Sequence, residues 1–187
     1  MLRTGRAACC DGESDSPSID AVNRVYWRAM RATDGYAFRK ATNADISAIG
    51  ALISNVLAEY GILACVGRAD RDLADIEANY WNAGGAFLVL LDGTTIIGTV
   101  ALRRDANACC ELCRMYLHAS YRGRGLGRRL FERAVEEAMD GGAVEMRLET
   151  SAVLTEAIAL YQANGFTLVD GKPMGCNCDL VMHKRLV

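Results

Sequence analysis

The chain has 187 residues, 51% apolar and 24% charged, with a net charge of −2. That length favours one domain burying about 70% of its extended surface, and the composition is too apolar for disorder and, with two prolines, not low-complexity. The longest aliphatic–aromatic run, Ala86–Leu91, falls far short of the ~18 residues that span a bilayer, no secretory pattern is visible in the first 25 residues, and the mild acidity gives no reason to expect nucleic-acid binding. A soluble, cytoplasmic protein without membrane or nucleic-acid partners is expected.

Residues 1–34 read as an extension, with a disordered polar stretch from Cys10 to Ser18 and a helical pattern from Ile19 to Thr33. The domain proper, residues 35–187, opens on a short strand, Tyr36–Lys40. Thr42 and Asp45 form a helix-start signal for a helix from Asn43 to about Tyr60. A loop containing Gly61 and Gly67 leads to a second helix, Asp70–Trp81, ending at Gly84-Gly85. Two strands, Ala86–Leu91 and Thr95–Arg103, flank the hairpin pair Asp92-Gly93. Leu112–Leu117 reads as another strand, starting as early as Cys109. An amphipathic helix with Leu126, Leu130, Phe131, Ala134, Val135, Ala138 and Met139 on one face stops at Gly141-Gly142. Strand Val144–Thr150, helix Leu154–Asn164 and closing strands Phe166–Val169 and Asp179–Arg185 complete the order. This is an α+β chain (layers α/β/α): a mixed, mostly antiparallel sheet with a central parallel strand pair, flanked by helices.

Eight cysteines without an export signal do not suggest a disulfide scaffold. Cys110 and Cys113 form a CxxC, but on a strand i and i+3 face opposite sides, unlike the turn that points two thiolates at zinc. No metal is expected.

The most informative segment is Tyr121-Arg-Gly-Arg-Gly-Leu-Gly-Arg-Arg-Leu130, following a strand and opening a helix. Free amides and the positive end of the helix dipole suit an anion there. It lacks the last glycine of a dinucleotide fingerprint and the Gly-Lys-Ser/Thr of a P-loop. From Tyr121 to Arg133 the charge is +4, with cations in the turn where they oppose the dipole. Beside glycines that let a ligand reach the backbone, this points to a bound polyanion. Simple solvation of five arginines is the alternative.

The segment Arg122-Gly-Arg-Gly125-Leu-Gly127 resembles the acyl-CoA-binding motif of the GNAT N-acetyltransferase superfamily. Met115-Tyr-Leu117-His-Ala-Ser-Tyr121 resembles that family's fourth-strand run. Ala159-Leu-Tyr161-Gln-Ala-Asn-Gly165-Phe166 resembles its later helix with a central tyrosine. The resemblance covers about Tyr36 to Val187 and implies the GNAT acyl-CoA N-acyltransferase fold. It further implies transfer of an acetyl group from the co-substrate acetyl-CoA to a primary amine of a small molecule or peptide, by direct attack in a ternary complex. A non-catalytic acyl-CoA sensor is the competing expectation, and a homodimer is left open.

By the same resemblance, amides around Gly123, Arg124, Gly125, Gly127 and Arg128, with Arg122, hold the pyrophosphate. The backbone of Met115 and Leu117 pairs with the pantetheine arm between strands that splay apart, and the Leu117 amide faces the thioester oxygen. Tyr161 is the candidate general acid toward the sulfur, although with Leu154 and Ile158 it also fits a core stripe. Glu111 is the first candidate base, sharing strand parity with Cys113 and Met115. An ion pair with Arg103 or Arg114 is its alternative role, and Glu149 is the second candidate. Cys113 has no dependable histidine neighbour, which disfavours a covalent route.

Overall fold

In the computed structural model, residues 35–62, 71–105, 107–175 and 177–187 are described. The expectations for residues 1–34 and for most of the Gly61–Gly67 loop lie outside them. Among these described residues, seven strands form one sheet in the order β1-β2-β3-β4-β5-β7-β6. They are β1 (Tyr36–Lys40), β2 (Ala86–Asp92), β3 (Thr95–Arg104), β4 (Cys109–Leu117), β5 (Glu145–Thr150), β6 (Thr167–Leu168) and β7 (Leu180–Arg185). Only β4 and β5 run parallel; every other pair is antiparallel. The mixed sheet with a central parallel pair is thus present, with helices on both sides.

Among the described residues the α-helices are α1 (Ile46–Glu59), α2 (Leu126–Asp140) and α3 (Thr155–Ala163). Before α1, a 3-10 turn spans Asn43–Asp45, where the Asp45 carboxylate accepts the Thr42 amide at 2.9 Å and the Thr42 hydroxyl at 3.1 Å. Residues Leu126, Leu130, Phe131, Ala134 and Ala138 of α2 meet Leu88, Leu90, Val100, Leu112, Met146 and Leu148 on one face of the sheet. On the other face, Ile49 and Ile53 of α1 pack with Tyr80, Phe87, Val89 and Ala101. Ala86–Leu90 is buried throughout because β2 lies between both layers, which explains its unbroken apolar run.

The segment read as one helix from Asp70 to Trp81 is instead a 3-10 turn at Arg71–Ala74 and a wide turn at Glu77–Trp81. The cause is Asp75, whose carboxylate accepts the Ala78 amide at 2.9 Å and the Asn43 side-chain amide at 3.0 Å. An aspartate that caps a new turn interrupts the helix before it. Strand β6 keeps only two residues of Phe166–Val169, at the sheet edge beside β7.

Candidate active site

Pairing of β4 with β5 runs from Cys109–Glu145 to Leu112–Leu148 and stops there, while β5 continues to Thr150 beside β7. The strands therefore separate from Cys113 onward. The cause lies in β4, whose register against β3 passes from Ala101–Cys113 to Thr99–Tyr116, one residue extra on β4. At that bulge Arg114 has φ 51°, left-handed backbone that costs a non-glycine residue roughly 1–2 kcal/mol. Its carbonyl accepts the buried Thr99 hydroxyl at 2.8 Å. Bulges re-aim side chains, and this one corrects the parity expected for Glu111. Glu111 alternates with Cys110 and Leu112 of the α2-side core and shares the α1 side with Cys113, whereas Met115 returns to the α2 side. The same alternation places Cys110 and Cys113 on opposite faces.

At the far end of β4 the chain passes a 3-10 turn, Ala119–Tyr121, into α2. Gly125 caps α2 in a left-handed conformation, φ 76°, with no side-chain cap, and no acidic residue occupies the first turn. The amides of Leu126, Gly127 and Arg128 thus keep the free donors of any helix start. A Cβ on Gly123, Gly125 or Gly127 meets no atom within 4 Å, so this backbone borders free space, as a phosphate cradle needs.

The arginines of this turn divide. The Arg122 guanidinium points inward, donating to the Leu117 carbonyl at 3.2 Å and pairing with Glu59 at 2.6 Å. Arg124 lies over the Tyr121 ring and donates to the Tyr36 hydroxyl at 3.4 Å. Arg128 is 62% exposed, 3.7 Å from Glu132, and Arg133 pairs along the helix with Glu136 and Glu137. Arg128 extends toward solvent beside the free amides, whereas Arg122 braces the end of β4.

Tyr161 is the buried residue of α3, 6% exposed, packed against Phe131 and Phe166. Its hydroxyl donates weakly to the Met115 sulfur at 3.8 Å, beside the gap between β4 and β5. Burial raises its pKa, so the phenol stays protonated at neutral pH. The Glu111 side chain is 27% exposed, 3.8 Å from Arg103. Burial raises its carboxyl above the usual range, Arg103 opposes that, and Glu149 adds to it. Glu149 is only 7% exposed and bonded on both oxygens: Oε1 accepts from Arg147 at 2.7 Å, Oε2 the Met174 and Gly175 amides at 2.9 and 2.8 Å. It anchors the loop after β6.

A cluster that the sequence did not reveal lies behind the bulge. Asp72, 12% exposed, accepts Arg114 Nη2 at 2.6 Å and Nε at 3.1 Å, Arg103 Nη2 at 2.7 Å, and the Tyr80 hydroxyl. Burial raises its pKa, but the Arg114 hydrogen bonds and charge outweigh that and hold it below the usual range.

Residues 56–166 match the family model described as the acetyltransferase (GNAT) family. Over 157 residues the chain is 35% identical to YjgM, an uncharacterized N-acetyltransferase of Escherichia coli K12, covering 79% of this chain and 93% of that one. Among solved structures, a GNAT-family acetyltransferase from Staphylococcus aureus Mu50 has a TM-score of 0.75 at 22% identity, covering 81% of this chain and 99% of that one. The Salmonella typhimurium protein yncA, solved with its cofactor acetyl-CoA, has a TM-score of 0.64 at 24% identity, covering 82% and 95%. These neighbours share an acyltransferase fold with this sheet. The chain belongs to the GNAT acetyltransferase family.

Proposed function

We propose that the protein transfers an acetyl group from acetyl-CoA to a primary amine of a small molecule or peptide, by direct attack in a ternary complex. The observation that carries this reading is the gap opened between β4 and β5, with free helix-start amides at its mouth. Acetyl-CoA supplies the thioester. The amides of Gly123–Arg128, with the Arg124 and Arg128 side chains, hold the pyrophosphate. The backbone of Met115 and Leu117, beyond the last β4–β5 pair, aligns the pantetheine arm as an added strand, and the Leu117 amide faces the thioester oxygen.

Glu111 and Tyr161 lie on opposite faces of the sheet, so the entering amine and the departing thiolate are served by separate groups. Glu111 accepts the amine proton, and its burial-raised pKa brings it closer to the working pH. Tyr161 donates a proton to the sulfur. Glu149, with both oxygens engaged, keeps its structural place. Burial pushes the Cys113 thiol up to about 12, so it stays protonated, which favours direct transfer over an acylated cysteine.

Calorimetric titration with acetyl-CoA at two salt concentrations tests the donor half. Saturable one-to-one binding is expected, weakening as salt screens the arginine turn. Absence of binding at low salt overturns it.

A further inference from the structure

We propose that the Asp72–Arg114 ion pair holds β4 away from β5, by pinning the left-handed bulge from which the Met115–Leu117 backbone departs. Both are positioning residues for the acyl donor. The inference rests on the reading that this backbone carries the pantetheine arm.

Left-handed backbone is glycine's ordinary territory, yet position 114 holds an arginine at φ 51°. What arginine supplies is a fork, and both ends of the residue are fixed. Its Nε and Nη2 donate to the Asp72 carboxylate at 3.1 and 2.6 Å, and its carbonyl accepts Thr99 Oγ1 at 2.8 Å. A two-pronged guanidinium–carboxylate bond sets orientation as well as distance. Asp72 is itself immobilised by Arg103 Nη2 at 2.7 Å and by the hydroxyl of Tyr80, whose ring is fully buried edge-on to Phe87. The clamp thus ties the bulge to the α1-side core.

Packing alone does not call for charge here. A buried ion pair loses much of its attraction to desolvation, and its best-attested use is fixing one arrangement among several. The two arrangements at issue are a straight β4 in continuous register with β5 and the bulged β4 that leaves β5 after Leu112. Arg114 selects the second.

The test compares acetyl-CoA with the 3′-phosphate of ADP, the CoA fragment that keeps the pyrophosphate and lacks the pantetheine arm. Arg114→Ala is expected to weaken acetyl-CoA binding about ten-fold, the worth of one or two misplaced backbone hydrogen bonds, and to leave the fragment within about two-fold. Arg114→Gly should recover most of that loss, because glycine adopts the left-handed conformation unaided. Asp72→Asn should reproduce the loss in the wild-type chain and add little to Arg114→Gly. Equal acetyl-CoA affinity in Arg114→Ala and Arg114→Gly, or a parallel fall for the fragment, overturns the inference. Failure of the wild-type chain to bind acetyl-CoA, with or without fragment binding, is the separate result that removes the donor-site reading and this inference with it.

Discussion

The Tyr161 hydroxyl lies 3.8 Å from the sulfur of Met115, so α3 sets a hydroxyl against a β4 side chain beyond the last β4–β5 pair. The contact is weak, and the ring rather than the hydroxyl packs against Phe131 and Phe166. Tyr161→Phe should therefore fold normally and bind acetyl-CoA with unchanged Kd. Turnover should fall about 10²-fold, the low end for a positioned acid because a thiolate is a tolerable leaving group. In steady-state assays with an accepted amine, kcat and kcat/KM should fall together. Wild-type activity in Tyr161→Phe would make the residue a core tyrosine.

Glu111 must be ionised to accept a proton, so rate should rise with pH through its pKa. Burial places that pKa above the usual carboxylate range, and Arg103 holds it down. Arg103→Met removes the opposing charge, raises the pKa further and should move the acidic limb of the kcat/KM profile to higher pH. Glu111→Gln should abolish the limb. A limb that stays in place in both variants assigns the base to another group.

A substitution at Gly127 separates ligand approach from backbone strain. This residue lies in the first turn of α2, and a Cβ there meets no atom within 4 Å. Gly127→Leu should leave thermal stability equal or higher, since leucine gains about 0.5–1 kcal/mol over glycine in a helix. Acetyl-CoA affinity should drop more than about ten-fold as the side chain fills the space before the amides. Gly125→Val is a poorer probe, because at φ 76° a side chain adds strain of roughly 1–2 kcal/mol. Unchanged calorimetric affinity in Gly127→Leu would contradict the assignment of this turn.

Stability at low pH should report the Arg39–Asp45 pair. Arg39 hydrogen bonds at 2.7 and 2.8 Å hold the Asp45 carboxyl at about 2 against the raising effect of burial, with the Thr42 amide assisting. A lowered carboxylate pKa stabilises the fold above its ordinary value of 3.8, and that contribution is lost as pH falls toward about 2. Because Arg39 is 41% exposed, solvent screening trims it to about 1 kcal/mol. Denaturant unfolding should show Asp45→Asn less stable than wild type by about that amount near neutral pH, with the difference closing at the acid end. A constant difference across that range would argue against the ion pair.

Much of this was legible because its signals are local. The Ala86–Leu91 run, the Asp92-Gly93 turn, the Gly141-Gly142 stop and the glycine–arginine helix start each fix their own few residues. The bulge at Arg114 left no such mark: arginine is not a bulge residue by preference, and its partner Asp72 stands 42 residues upstream. Strand parity carried from Glu111 to Met115 failed at that one inserted residue. Likewise Glu149 reads as a free carboxylate until the chain returns 25 and 26 residues later with the Met174 and Gly175 amides. Asp75 looked like any helix residue, because its partner Asn43 is likewise distant in sequence.

The most direct measurement is release of free CoA thiol from acetyl-CoA across a panel of primary amines and amino-terminal peptides. Amine-dependent thiol release is expected for at least one acceptor class, matched by acetylated product and reduced in both Tyr161→Phe and Gly127→Leu. Saturable acetyl-CoA binding with no amine-dependent release across the panel would contradict it and leave an acyl-CoA sensor built on the same fold.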